Sequence, residues 1–221
     1  MINIVFIAPH GTGKGTQCNF LKSKYGFKQI STGEIIRNTI QKQDSFALEL
    51  KKTINSGKLV SDGVVLDLLT NYLKGLDIKD GIIFDGYPRN LNQAILLDEM
   101  LKSLNTQVDL VVYLNITKEE ALKRTMGRLL CSKCNKSYNI YYDYLKPKNE
   151  GMCDECNGVL KQRDDDTEEA FNRLFEVFLN DTYPILNYYK AKNILVEIDA
   201  SQTSEKIFED IEKKLNEVLN D

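Results

Sequence analysis

Residues Ile2 to Gln17 read INIVFIAPHGTGKGTQ. An apolar run leads into a loop of small residues, and a lysine then opens a helical segment. This is the strand–loop–helix layout of a phosphate-binding P-loop, which requires a strand whose end faces the start of a helix. The backbone N–H groups of such a loop converge on phosphate oxygens, and the helix N-terminus adds positive partial charge. Lys14 supplies the formal cation, and Gly11, Gly13 and Gly15 let the backbone come close to a phosphate. The general pattern G-x-x-x-x-G-K-[ST] is not met. Ala8 stands at its first glycine, and Gly15 separates Lys14 from Thr16.

The rest of the chain alternates strand and helix. Short apolar runs recur at 2–7, 28–31, 81–85, 109–114 and 194–198. Between them, Leu66, Leu69, Tyr72 and Leu73, and again Ile207, Ile211, Leu215 and Val218, recur at three- and four-residue intervals. Thr117 before Glu119–Glu120 and Thr203 before Lys206–Ile207 read as helix starts. This alternation implies a parallel sheet with helices on both faces. It is interrupted twice: residues 32–60 are helical with no strand between, and 128–164 carry Cys, Gly and Tyr with little helical period. With 221 residues, the chain suffices for one compact domain with inserts. A net charge of -3 gives no support to a general binder of nucleic acid or membrane surface. The N-terminal apolar run from Ile4 to Pro9 has no basic segment before it and is too short for a signal peptide or a membrane span. The expectation is a cytoplasmic monomer with neither nucleic-acid nor membrane partners.

The loop resembles that of adenylate kinases, which read G-x-P-G-x-G-K-G-T. Gly15–Thr16 after the lysine is a trait of that family, whereas Ala8 replaces the first glycine, His10 replaces the proline, and Pro9 sits one place early. The resemblance implies that Gly11, Thr12, Gly13, Lys14, Gly15 and Thr16 bind ATP. It extends nearly end to end through further motifs.

Ser31-Thr32-Gly33-Glu34-Ile35-Ile36-Arg37 follows the second predicted strand, at the carboxyl edge where open α/β sheets bind ligands. It is similar to the family's S-T-G-D-x-x-R, which implies that Thr32 contacts the base of AMP and Arg37 its phosphate. GKLVSD at 57–62 resembles G-x-L-V-x-D, implying that the backbone of Lys58, Leu59 and Val60 cradles adenine. Asp85 ends the third apolar run, and an acid at a strand end near a P-loop is the usual place to hold Mg²⁺ through water. Gly86 allows close approach of a base, and Arg89 offers a planar fork suited to phosphate. The string Asp85-Gly86-Tyr87-Pro88-Arg89 with Gln93 resembles D-G-F-P-R-x-x-x-Q. It implies an AMP site lined by Gly86, Tyr87, Pro88 and Arg89, with Gln93 reading the adenine edge.

Arg124 and Arg128, four apart, share one helix face. Arg163 precedes Asp164–Asp165–Asp166, and Arg173 follows. Phosphoryl transfer needs cations around a group whose charge spreads over its equatorial oxygens. The set is similar to the family's R-x-x-G-R, R-x-D-D and downstream arginine. The family has one more residue between the last two arginines, so either Asp164–Asp165 or Asp165–Asp166 is the pair. Asp165 belongs to both. The resemblance implies that Arg124, Arg163 and Arg173 cover the transferring group, that Arg163 and Arg173 also reach AMP, and that Arg128 meets the donor. It also implies that Ser137, Tyr138 and Gln202 contact the donor nucleotide.

Cys131-x-x-Cys134 and Cys153-x-x-Cys156 are separated by residues 135–152, within the spacing of a four-cysteine zinc ribbon. Asn135–Lys136 and Asn157–Gly158 put turn formers after each pair. Four ligands close the site, so the zinc would be structural. Some adenylate kinases carry such a ribbon in their lid, and this one resembles them with two more residues between pairs. Cys18 reads as a helix-packing thiol, and His10 as a loop residue near the nucleotide.

The expectation is therefore an adenylate kinase, MgATP + AMP ⇌ 2 ADP, built as an α/β P-loop NTPase core with a five-stranded parallel sheet. The core spans 1–30, 61–123 and 165–221, with a helical AMP-binding insert at 31–60 and a small zinc-ribbon lid at 124–164. Lys14, Arg89, Arg124, Arg163, Asp165 and Arg173 form its catalytic set. Two alternatives stand beside it. One is another nucleoside monophosphate kinase, or a preference for GTP as donor. The other is a zinc-ribbon nucleic-acid-binding protein with a degenerate P-loop, which Ala8 would permit.

Overall fold

The computed structural model describes residues 2–55, 60–75, 81–163 and 166–220. Lys58 and Leu59 of the adenine cradle, and Asp165 with Asp164 of the acidic pair, lie outside the described residues. The chain runs β1 (Ile2–Ile7), α1 (Lys14–Tyr25), β2 (Lys28–Ser31), α2 (Thr32–Ile40), α3 (Ser45–Asn55), α4 (Asp62–Lys74), β3 (Gly81–Asp85), α5 (Leu91–Ser103), β4 (Leu110–Asn115) and α6 (Lys118–Met126). Three short strands follow: β5 (Arg128–Cys131), β6 (Ser137–Asn139) and β7 (Leu160–Lys161). The chain then closes with α7 (Glu168–Val177), a π-helical turn at Phe178–Thr182, α8 (Ile185–Ala191), β8 (Leu195–Asp199) and α9 (Ser204–Asn220).

β1, β2, β3, β4 and β8 form one sheet in the order β2-β3-β1-β4-β8, every neighbouring pair parallel. The expected fourth and fifth strands each lie one residue later than their apolar runs. The central strands read as continuous apolar runs because both of their faces are covered. Val5, Ile7, Phe84 and Val111 turn one way, against Leu69, Leu97 and Tyr189. Ile4, Phe6, Ile83 and Val112 turn the other way, against Leu21, Phe171 and Ile211. The split follows the two-residue period of a strand. β1 lies between β3 and β4, so the chain leaves it toward opposite sides, and its carboxyl end is the switch point where such sheets bind ligands.

Helix starts are chemically marked. Thr117 Oγ1 accepts from the Glu120 N–H at 3.3 Å, and Thr203 Oγ1 from the Lys206 N–H at 3.4 Å, as the sequence spacing predicts. The two interruptions are also physical. α2, α3 and α4 run between β2 and β3 with no described strand among them. β5, β6 and β7 form a separate antiparallel sheet in the order β6-β5-β7, with its own small cluster of Cys131, Tyr138, Cys153 and Leu160.

Candidate active site and four-cysteine centre

The loop between β1 and α1 is built on backbone that side chains resist. Gly11 and Gly13 hold φ of 86° and 83°, in the left-handed region that favours glycine. A Cβ on Gly11 would also run into the Ala121 carbonyl and the Thr125 hydroxyl of α6. Thr12 is buried, its hydroxyl donating to the Pro9 carbonyl at 3.2 Å. Lys14 opens α1 and its ammonium is ion-paired with Asp85 at the end of β3. The other Asp85 oxygen accepts from Gln29 Nε2 at 2.8 Å. Burial pushes the Asp85 carboxyl up, but Lys14, the Gln29 hydrogen bond and the Arg89 charge outweigh it and hold the group below the usual carboxylate range. Behind the loop, Cys18 is fully buried and burial pushes its thiol up to about 12, as suits a packing residue.

Beside Asp85, the Gly86 carbonyl gathers the next residues. It accepts from Thr32 Oγ1 at 2.9 Å and from Arg89 Nε at 2.8 Å. Gly86 has φ 79°, and a Cβ there would press to 3.2 Å from the Arg89 guanidinium. Tyr87 is buried, and its bond to Pro88 is cis. Gln93, in the first turn of α5, is buried with its amide bonded at both ends: Oε1 accepts from the Arg89 N–H at 2.7 Å, and Nε2 donates to Asp62 Oδ1 at 2.7 Å. Thr32, Ile35, Ile36, Val65, Leu68 and Leu69 line an apolar hollow between α2 and α4, and Val60 packs at the edge of the adjoining core. Arg37 folds its guanidinium back over Gly33, to within 3.3 Å of where a Cβ would sit, at the first turn of α2. A cation at a helix N-terminus is electrostatically opposed unless an anion joins it. Among the described residues, Arg37, Arg89 and Arg173 form no ion pair, whereas Lys14, Arg124 and Arg128 do.

The remaining arginines differ from one another. Arg128 donates to both oxygens of Asp166, with Nε to Oδ2 at 3.0 Å, and the Asp166 side chain is wholly buried. Among the described residues, Asp166 is thus the member of the acidic run that anchors an arginine. Arg128 Nη2 also lies 3.1 Å from His10 Nε2, so His10 joins the loop to the start of β5. Arg124 donates from Nε to Glu120 at 2.8 Å, from Nη1 to the Ala200 carbonyl at 2.7 Å and from Nη2 to the Ser201 carbonyl at 3.0 Å. That places it against the turn that carries Gln202, and covering a transferring phosphoryl group would require it to exchange these partners. Arg163 and Arg173 are exposed, the latter on α7. Ser137 is exposed, but the side chain of Tyr138 turns inward by the alternation of β6. Its hydroxyl lies 3.4 Å from Cys153 Sγ and accepts from the Asp154 N–H at 2.8 Å. The side chain of Tyr138 therefore packs against the cysteine centre.

The sulfur atoms of Cys131, Cys134, Cys153 and Cys156 all lie within 4.8 Å of one another. Two of the pairs, Cys131–Cys156 and Cys134–Cys153, are 3.4 Å and 3.6 Å apart, far beyond a disulfide bond and close to the ~3.8 Å edge of a tetrahedron of thiolates around zinc. The two halves are built alike. Asn135 and Asn157 hold φ of 58° and 54°, and their N–H groups donate at 3.0 Å to the carbonyls of Cys131 and Cys153. A Cβ on Gly158 would lie 2.6 Å from Cys131 Sγ, so glycine is required there. The Tyr138 hydroxyl lowers the Cys153 thiol, favouring the thiolate that a metal takes. The donor set fits a tetrahedral zinc ion.

Asp62, Gln29 and Asp166 are residues beside the candidate site whose partners no spacing in the sequence reveals, because each meets its partner only through packing across a long sequence separation. Comparison with known proteins identifies the family. A sequence model of the adenylate kinase family matches residues 6–194. A relative from Archaeoglobus fulgidus, named adenylate kinase, is 38% identical over 98% of this chain and 99% of its own length. Relatives of the same name from Clostridium tetani and Thermodesulfovibrio yellowstonii are 36% and 40% identical, over 98% and 95% of this chain and 100% and 97% of their own. A match of that extent runs through the loop, the helical insert and the four-cysteine ribbon alike, and the chain belongs to the adenylate kinase family.

Proposed function

We propose that this chain transfers the terminal phosphoryl group of MgATP to AMP, giving two ADP, in a reversible reaction. One observation carries the reading: a single bonded network joins the donor side to the acceptor side. Lys14 of the loop pairs with Asp85, and the carbonyl of the next residue, Gly86, holds both Thr32 and Arg89. Direct transfer between two nucleotides needs reacting atoms about 3–3.5 Å apart, so the groups that hold the two phosphates have to abut as these do.

The roles follow from charge and position. The loop N–H groups from Gly11 to Thr16 and the Lys14 ammonium hold the donor phosphates. Arg37 and Arg89, without carboxylate partners among the described residues, hold the acceptor phosphate. Arg163 and Arg173 shield the transferring group, and Arg128, braced by Asp166, meets the donor. Arg124 and Gln202 lie together at the donor-nucleoside turn, and Ser137 reaches the donor from the ribbon. Thr32, the 58–60 backbone, Tyr87, Pro88 and Gln93 enclose adenine. Asp85 would hold Mg²⁺ through water, and the ion would neutralise phosphate charge as the reaction proceeds. Cys131, Cys134, Cys153 and Cys156 would hold a structural zinc, with no position left for water or substrate. Closing both inserts excludes water and so limits ATP hydrolysis. We take the protein to be a cytoplasmic monomer without nucleic-acid or membrane partners. The charge of -3 supports this, and no described helix is long and apolar enough to cross a membrane.

A coupled assay of ADP formation across donor and acceptor pairs tests the reading. ATP with AMP should give the highest kcat/KM. Equal or better values with UMP or CMP would overturn the acceptor assignment, and no ADP from ATP with AMP would overturn the activity.

A further inference from the structure

Asp62 lies in the first turn of α4, at the end of a helix that favours an anion. Three side-chain amides from the start of α5 converge on it. Asn90 Nδ2 and Gln93 Nε2 donate to Oδ1 at 3.0 Å and 2.7 Å, and Asn92 Nδ2 donates to Oδ2 at 2.8 Å. Asn90 Oδ1 in turn accepts from the Gln93 N–H at 2.8 Å and caps α5. Those donors hold the Asp62 carboxyl below its ordinary range against the upward push of burial.

A glutamine amide can present its oxygen and nitrogen in either order, and only its neighbours decide which. Here the decision is made twice. The Arg89 backbone N–H can only donate, so the end facing it is oxygen. The Asp62 carboxylate can only accept, so the other end is nitrogen. The flipped amide would set donor against donor and carbonyl against carboxylate. After these two bonds, Oε1 keeps one lone pair and Nε2 one hydrogen.

We propose that Asp62 is a positioning residue that fixes the orientation of the Gln93 amide and thereby selects a 6-amino over a 6-oxo purine in the acceptor nucleotide. An acceptor and a donor side by side complement an amino N–H next to an unprotonated ring nitrogen. They oppose a ring carbonyl next to a ring N–H. The Arg89 N–H belongs to the backbone and holds one end of the amide in every variant, so Asp62 is the side chain on which the selection turns. The proposal rests on the reading that Gln93 meets the base.

The test compares kcat/KM for AMP and for inosine monophosphate, with ATP saturating, in wild type, Asp62→Asn and Gln93→Ala. Asp62→Asn keeps the shape but offers Gln93 a donor as well as an acceptor. Its preference for AMP should fall about tenfold, the loss expected for one hydrogen bond to a charged group. The change should lie in the acceptor KM, with the KM for ATP within about twofold. Both acceptors are measured on the same folded molecules, so a partly unfolded preparation leaves the ratio intact. If Asp62→Asn yields no folded enzyme, Asp62→Ser is read in the same way. A preference that collapses in Gln93→Ala but stays at the wild-type value in the Asp62 variant overturns the role of Asp62 and leaves the Gln93 reading standing. A preference unchanged in Gln93→Ala overturns that reading, and this proposal with it.

Discussion

The Arg89 guanidinium takes its place, among the described residues, from a single backbone oxygen. Its Nε donates to Gly86, leaving its Nη groups for a ligand. Arg89→Ala should therefore lower kcat/KM by well over tenfold, more than ~1.4 kcal/mol of barrier, with little change in melting temperature. Turnover and thermal melting on the same preparation check this, and activity retained within about tenfold contradicts it. Asp85 behaves differently, because its partners Lys14 and Gln29 belong to the protein itself. Its folded carboxyl is held below the ordinary value of 3.8. The pair therefore contributes stability that is present above 3.8 and lost as the pH falls through the lower folded value. Urea unfolding of wild type and Asp85→Asn should show the largest gap near neutral pH, closing in acid. A gap that widens on acidification would contradict the ion pair.

The elements differ in what holds them. β3 is held by burial: Phe84 is wholly covered, and Phe84→Ala should cost about 3–5 kcal/mol by transfer and cavity terms together. Urea denaturation measures it, and a cost below about 1 kcal/mol would mean that the site collapses around the change. The β5–β6–β7 ribbon has no such reserve. Its buried cluster is Cys131, Tyr138, Cys153 and Leu160, and two of those are thiols. Metal should thus supply most of its stability. Elemental analysis should find one zinc per chain. Cys153→Ser should lower the melting temperature while activity survives in part at low temperature. Metal-free protein that melts unchanged after chelation, or cysteines found paired as disulfides, would refute the centre.

Across the whole molecule, the sheet order decides which motifs meet. β2, β3 and β1 are neighbours, so the turns that follow them bring Thr32, Gly86 and the loop to one edge, although 54 residues separate Thr32 from Gly86. The acceptor preference belongs to this scale, since in the proposed reading the base would be enclosed by α2, α4 and α5 together. AMP should exceed GMP, UMP and CMP in kcat/KM, and steady-state assays with each acceptor measure it.

What depends on near neighbours along the chain was legible without the fold. Apolar runs marked all five core strands to within a residue, threonines marked the starts of α6 and α9, and the asparagines after each C-x-x-C marked the two turns of the ribbon. These are local matters of periodicity, capping and left-handed backbone. The assembled fold settled the pairings across long separations. It chose Asp166 for Arg128, gave Gln29 to Asp85, engaged Arg124 with carbonyls 76 and 77 residues away, and turned Tyr138 toward the cysteines. It also set Asp62 behind Gln93, 31 residues on. A buried donor or acceptor takes whichever partner packing brings within reach, and that choice is made when the layers assemble.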